Sequence, residues 1–212
     1  MNILGLISQL IGIKTLRLTE ASMTRPKTMT YVEEYLEANK RLDSTRPFTE
    51  KKWLPPPNDC VKLNVAWQRF KDSKTYGVGS VIQDYAGVLL AARCEILPQV
   101  GDNLTMAATS MQKALKICQE AGFQSVMVKF SHPQLKALIL SRIACLTEID
   151  DHISCIRNFS SLFCSLDFHV IPSSCNKAAK VLARYAKETT KPFVWLEEGP
   201  VVLILIIIVE LS

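Results

Sequence analysis

The feature that most constrains this chain is a change of hydrophobic period near residue 100. Residues 61–96 carry apolar side chains in short runs broken by turn residues, whereas residues 104–121 carry them at helical spacing. Residues 61–65 (VKLNV) alternate apolar and polar, as a half-buried strand does. Residues 76–83 (YGVGSVIQ) and 88–96 (VLLAARCEI) read as two further strands joined by a turn at Asp84-Tyr85-Ala86-Gly87. Three strands joined this closely form an antiparallel meander.

The second half alternates. An amphipathic helix over 104–121 carries Ala107, Met111, Ala114, Leu115 and Cys118 on one side and stops at Gly122. A strand over 125–130, helices over 133–142 and 146–163, and a strand over 166–171 follow. A closing helix spans 176–188, with Asn176 as its expected cap. The order βββαβααβα predicts an α/β fold: a mixed five-stranded sheet with helices on both faces. The domain is expected over 53–190, after a leader and linker (1–52, with a short helix at 30–39) and before a hydrophobic tail (191–212).

Composition agrees with one core of this size. The 212 residues are 48% hydrophobic and 21% charged, which excludes disorder along the whole length. The formal charge of +5 is too mild to identify a nucleic-acid binder unaided. Seven cysteines are present with no Cys-x-x-Cys pair and three scattered histidines, so core thiols are expected and no metal site of that type. Residues 201–209 (VVLILIIIV) are nine unbroken aliphatics, against about 20 needed to span a bilayer. No membrane span is expected. The run is read as a strand or a short buried helix that covers part of the domain or a partner. At the other end, Lys14 and Arg17 follow an apolar run instead of preceding it, unlike a secretory signal. The expected compartment is nuclear or cytoplasmic, with organelle import as the alternative.

Within this framework the residues resemble a known family. Trp53 with Pro55, Pro56 and Pro57; Lys62, Asn64 and Val65; Gly77, Gly79, Val81, Ile82, Asp84, Gly87, Leu90 and Ala92; and Asn176, Lys177, Ala179, Leu182 and Ala183 stand in order and at family spacing. The set is similar to the plant-type ribonuclease H-like domain of retroelements lacking long terminal repeats and of their domesticated relatives. The resemblance runs from Trp53 to Ala186, and Trp195-Leu196-Glu197-Glu198 is similar to that family's ending. It implies the ribonuclease H-like fold, RNA–DNA hybrids as partner and two Mg²⁺ ions as cofactor, one activating water and one stabilising the leaving oxygen. Magnesium takes oxygen ligands, and the family supplies four carboxylates.

Carried residue by residue, all four positions are substituted. The carboxylate that follows Asn-Val falls on Ala66, and the one after Asn-Lys-x-Ala falls on Lys180. The first-helix position, eight residues before Leu115 and fifteen before Gly122, falls on Ala107, with Ala108 adjacent. The one that ends the fourth strand falls on Ser131. Two dications need anionic ligands, and Lys180 would oppose each unit of metal charge by about 3 kcal/mol at ~5 Å and an effective dielectric of ~20. No metal ligand and no bound cofactor are therefore expected. Asp72, Asp84, Asp102, Glu148, Asp150 and Asp151 are the acids from which a relocated site could be built.

Lys177, Lys180, Arg184 and Lys187 follow each other at helical spacing and form the candidate nucleic-acid contact; the alternative is a solvated helix face. Lys113 and Lys116 are a second basic patch, and Trp67 and Phe70 are candidates for base stacking or for packing. The leading expectation is a ribonuclease H-like nucleic-acid-binding protein without catalysis, a pseudoenzyme. The alternatives are an active hybrid endoribonuclease with non-standard ligands and a protein-interaction scaffold.

Overall fold

The computed structural model describes residues 53–141 and 149–211; the helix expected at 30–39 lies outside them. Strands β1 (Val61–Arg69), β2 (Thr75–Gln83) and β3 (Leu89–Pro98) form the meander. Helix α1 (Asn103–Glu120), strand β4 (Ser125–Phe130), helices α2 (Pro133–Leu140) and α3 (Ile149–Ser160) and strand β5 (Ser165–Val170) follow. Helix α4 (Lys177–Tyr185) tightens into a 3₁₀ turn at Ala186–Glu188, so the closing helix ends three residues before the expected limit. Strand β6 (Phe193–Leu196) and helix α5 (Val201–Leu211) complete the chain.

The sheet order is β5-β4-β1-β2-β3-β6. β1 runs antiparallel to β2 and parallel to β4, and β4 parallel to β5, so the sheet is mixed as expected. The five strands read from the sequence are joined by a sixth. β6 pairs antiparallel with β3, Ala92 opposite Trp195. Four consecutive apolar residues carry no alternation, so this edge strand gave no periodic signal.

Strand alternation assigns the two faces. Leu63, Val65, Ile82 and Ala91 join Met111, Ala114, Leu115 and Cys118 of α1 in the main core. The opposite face receives α4. Gly77 and Gly79 of β2 lie under it, and a Cβ on Gly79 would meet Leu182 Cβ at 2.8 Å and the Ala179 carbonyl closer still. The two glycines are what let the α4 backbone rest on the sheet.

The aliphatic tail takes the helical alternative. Val202, Leu203, Ile206 and Ile207 are buried, and Gly199 abuts Leu203 and Leu89. β-Branched residues are mediocre helix formers, and burial of this segment overrides that preference. No helix among the described residues is long and apolar enough to cross a membrane.

Candidate functional site

A cleft of about 160 Å³ opens beside β1, between α1 and α4. Ala66 of β1, Ala107 of α1, Ser131 after β4 and Lys180 of α4 all line it. Three elements and the turn after β4, spread over more than a hundred residues, thus converge, and the four positions named from the motifs meet in one place. The walls are apolar: Val65, Trp67, Met111, Phe130 and Leu135. His132, Ser173 and Asn176 add polar groups.

The floor is pinned by a buried amide pair. Asn64 Nδ2 donates to Asn176 Oδ1 at 2.9 Å, and Asn176 Nδ2 donates to the Val65 carbonyl at 2.7 Å. Asn176 stands at the N-cap position of α4, yet its side chain makes no capping bond, contrary to the sequence expectation. It is spent on β1 instead. The Glu210 carboxylate of α5 meets the amides of Lys177 and Ala178, the first of α4, and so takes over the anionic role at that helix end. Burial pushes the Glu210 carboxyl up, and Lys62 and Lys177 draw it back.

Lys180 is half-buried, and its Nζ donates to Ser173 Oγ at 2.5 Å. Burial, then the neighbouring charge of Arg184, lowers its pKa. His132 caps α2 through Nδ1, which accepts from the Leu135 amide at 3.3 Å. Burial lowers the His132 pKa, and the charge of Asp102 opposes that shift. The sequence signal for His132 was local: a polar residue between a strand and a proline at the start of a helix.

The acids that could rebuild a metal site are used elsewhere. Asp84 Oδ1 accepts from the Ala86 and Val88 amides in the β2–β3 turn. Asp102 caps α1 by accepting from the Thr105 amide at 2.9 Å. Asp72 pairs with Lys187 at 3.3 Å, and Asp150 and Asp151 lie in the first turn of α3. Glu148 lies outside the described residues. None of these five described acids lines the cleft, and among the described residues no three His, Cys, Asp or Glu side chains come together as a metal site. The residues present do not fit a pair of magnesium ions, which need carboxylate oxygen.

The expected basic stripe is divided. Lys180 turns into the cleft, Arg184 is exposed, Lys187 bonds Asp72, and Lys177 lies near Glu210. Lys113 pairs with Glu95 and Lys116 with Glu120, so the second patch is largely neutralised. Trp67 meets Tyr76 edge-on at 6.5 Å, and Phe70 is buried; both pack.

This fold is that of ribonuclease H. Ribonuclease H1 of Halobacterium salinarum superposes with a TM-score of 0.55 at 15% identity, over 61% of this chain and 98% of that one. A ribonuclease H1 isolated from compost gives 0.54 at 17% identity, over 61% and 96%. The N-terminal ribonuclease H domain of a Mycobacterium tuberculosis protein gives 0.53 at 15%, over 61% and 94%. No curated protein sequence matches the chain. The sequence profile of the Reverse transcriptase-like family matches residues 63–186, more than half of the chain, and the chain belongs to that family.

Proposed function

We propose that this protein is a ribonuclease H-fold domain of retroelement descent that binds nucleic acid and does not hydrolyse it. One observation carries the reading: Ala66, Ala107, Ser131 and Lys180 share a cleft that has no carboxylate on its walls. Ala offers no ligand, Ser only a neutral oxygen, and Lys a charge of the wrong sign. Activated water for phosphodiester hydrolysis then has no source within the cleft.

Two observations support retained binding. The compost ribonuclease H1 has been solved in complex with an RNA/DNA hybrid, and that structure shares this fold at a TM-score of 0.52. Lys180 and Arg184 also keep positive charge at and beside the cleft. The partner class is therefore RNA–DNA hybrid or a related duplex.

The test pairs two assays on the purified full chain. With Mg²⁺ or Mn²⁺, an RNA–DNA hybrid should remain uncut. By fluorescence anisotropy the same hybrid should bind, with affinity falling as salt rises. Metal-dependent cleavage altered by substitutions around Ala66 would overturn the loss of catalysis. A folded protein that ignores hybrid at low salt would favour the scaffold reading.

A further inference from the structure

We propose, resting on the nucleic-acid-binding reading, that the cleft is an anion site in which Lys180 and the neighbouring hydroxyls hold a phosphate group directly, with no metal between. The cleft has one formal cation and no acid among its twelve lining residues. Lys180 spends one ammonium hydrogen on Ser173 Oγ and keeps two. Ser173 accepts in that bond, so its own hydroxyl hydrogen remains to donate. Ser131 is exposed at the mouth and carries a second hydroxyl. His132 accepts at Nδ1, so its neutral ring carries the hydrogen on Nε2. The polar inventory is thus weighted towards donors.

The setting strengthens those donors. Ala66, Ala107, Met111, Phe130 and Leu135 wall the cleft with carbon. Beside such walls a charge–charge attraction is screened less than in open water, while Ser131 and Ser173 face solvent. Lys180 has no carboxylate partner among the described ion pairs, and the like charge of Arg184 acts on it. An arriving anion would offset both the lost hydration of that charge and its repulsion. The volume of about 160 Å³ is below the few hundred Å³ of a typical small-molecule pocket. That is room enough for one phosphate group, the unit a backbone contact requires.

The same chemistry could be met by a phosphate of a polynucleotide or by free phosphate, and two arms separate them. In the first, hybrid affinity of the full chain is measured against salt, in EDTA and in Mg²⁺, for wild type, Lys180→Gln, Ser173→Ala and Lys116→Gln. Wild-type binding should not require Mg²⁺, and its affinity in EDTA should be at least that in Mg²⁺. Lys180→Gln should lose roughly tenfold and about one unit of the salt slope, Ser173→Ala should lose a few-fold, and Lys116→Gln should match wild type. In the second arm, inorganic phosphate is titrated into ¹⁵N-labelled protein. Saturable amide shifts at Ser131, His132 and Ser173 that vanish in Lys180→Gln support the site.

The two failures are distinguishable. If hybrid binds and neither the salt slope nor the phosphate shifts depend on Lys180, the anion site is overturned while nucleic-acid binding stands. An equal loss in Lys116→Gln overturns it too, because the effect is then diffuse charge. If wild type ignores hybrid but phosphate gives Lys180-dependent shifts, nucleic-acid binding falls and the anion site remains, as a site for the free ion. Thermal melts of each variant establish that it is folded.

Discussion

Lys62→Met should stabilise this protein. Lys62 is 4% exposed on β1, and its ammonium lies 3.7 Å from the centroid of the Trp53 ring. Burial is the main cause that lowers its pKa from 10.5 to about 7; Glu210 raises it and Lys129 lowers it further. The folded-state pKa is depressed, so between about pH 7 and 10.5 the unfolded chain binds the proton that the folded chain releases. Stability therefore rises with pH across that window and is diminished below it. At 1.36 kcal/mol per pKa unit, charging this lysine weakens the fold by about 4 kcal/mol at neutral pH. The ring contact with Trp53 returns about 1–2 kcal/mol of that, which leaves about 2–3 kcal/mol. Methionine keeps the length and flexibility without the charge. Urea unfolding from about pH 6 to about pH 10 checks the reasoning. The variant should be more stable by about 2–3 kcal/mol at neutral pH, and its advantage should shrink as pH approaches 10.5. A variant weaker than wild type at neutral pH, or an advantage independent of pH, refutes it.

Three other outcomes follow from the packing. Gly79→Ala drives a methyl group into the Ala179 carbonyl and Leu182, and should destabilise by about 3 kcal/mol or prevent folding; a urea midpoint within error of wild type would refute the close approach of α4. Asn176→Ala strips the partners from the Asn64 amide and the Val65 carbonyl and should weaken the fold by about 2–4 kcal/mol. Calorimetry reads that loss, and a neutral variant would mean that water satisfies both groups. Burial pushes the Cys94 and Cys118 thiols up to about 11 and about 12, so native alkylation at mildly alkaline pH should mark exposed Cys164 first and leave those two unmodified; mass spectrometry that finds Cys118 modified in folded protein would contradict the buried core.

Much of the architecture was legible because its signal is local. The alternation at 61–65, the turn at Asp84–Gly87 and the helical spacing of Ala107, Met111 and Cys118 lie within single segments, and each became the expected element. β1 runs four residues beyond the alternating stretch, to Arg69, because Ala66 to Arg69 pair with Gly79 to Tyr76. That extension depends on a neighbour strand and is invisible in the segment itself. β6 was missed for the same reason: an edge strand of four apolar residues is defined by its partner. The aliphatic tail fitted strand or helix equally by pattern, and only burial of Val202, Leu203, Ile206 and Ile207 decided for helix.

The sequence by itself determined the order of elements from β1 to α4 and, through its motifs, which residue types stand at Ala66, Ala107, Ser131 and Lys180. No packing arrangement can supply a carboxylate that those positions do not encode. Only the tertiary structure decided that the four meet in one cleft, that His132 and Ser173 join them, and that Asn176 turns to Asn64 while Glu210 takes the helix end. Side-chain periodicity is written over a few residues of chain, whereas convergence depends on contacts between segments as far apart as Asn64 and Asn176.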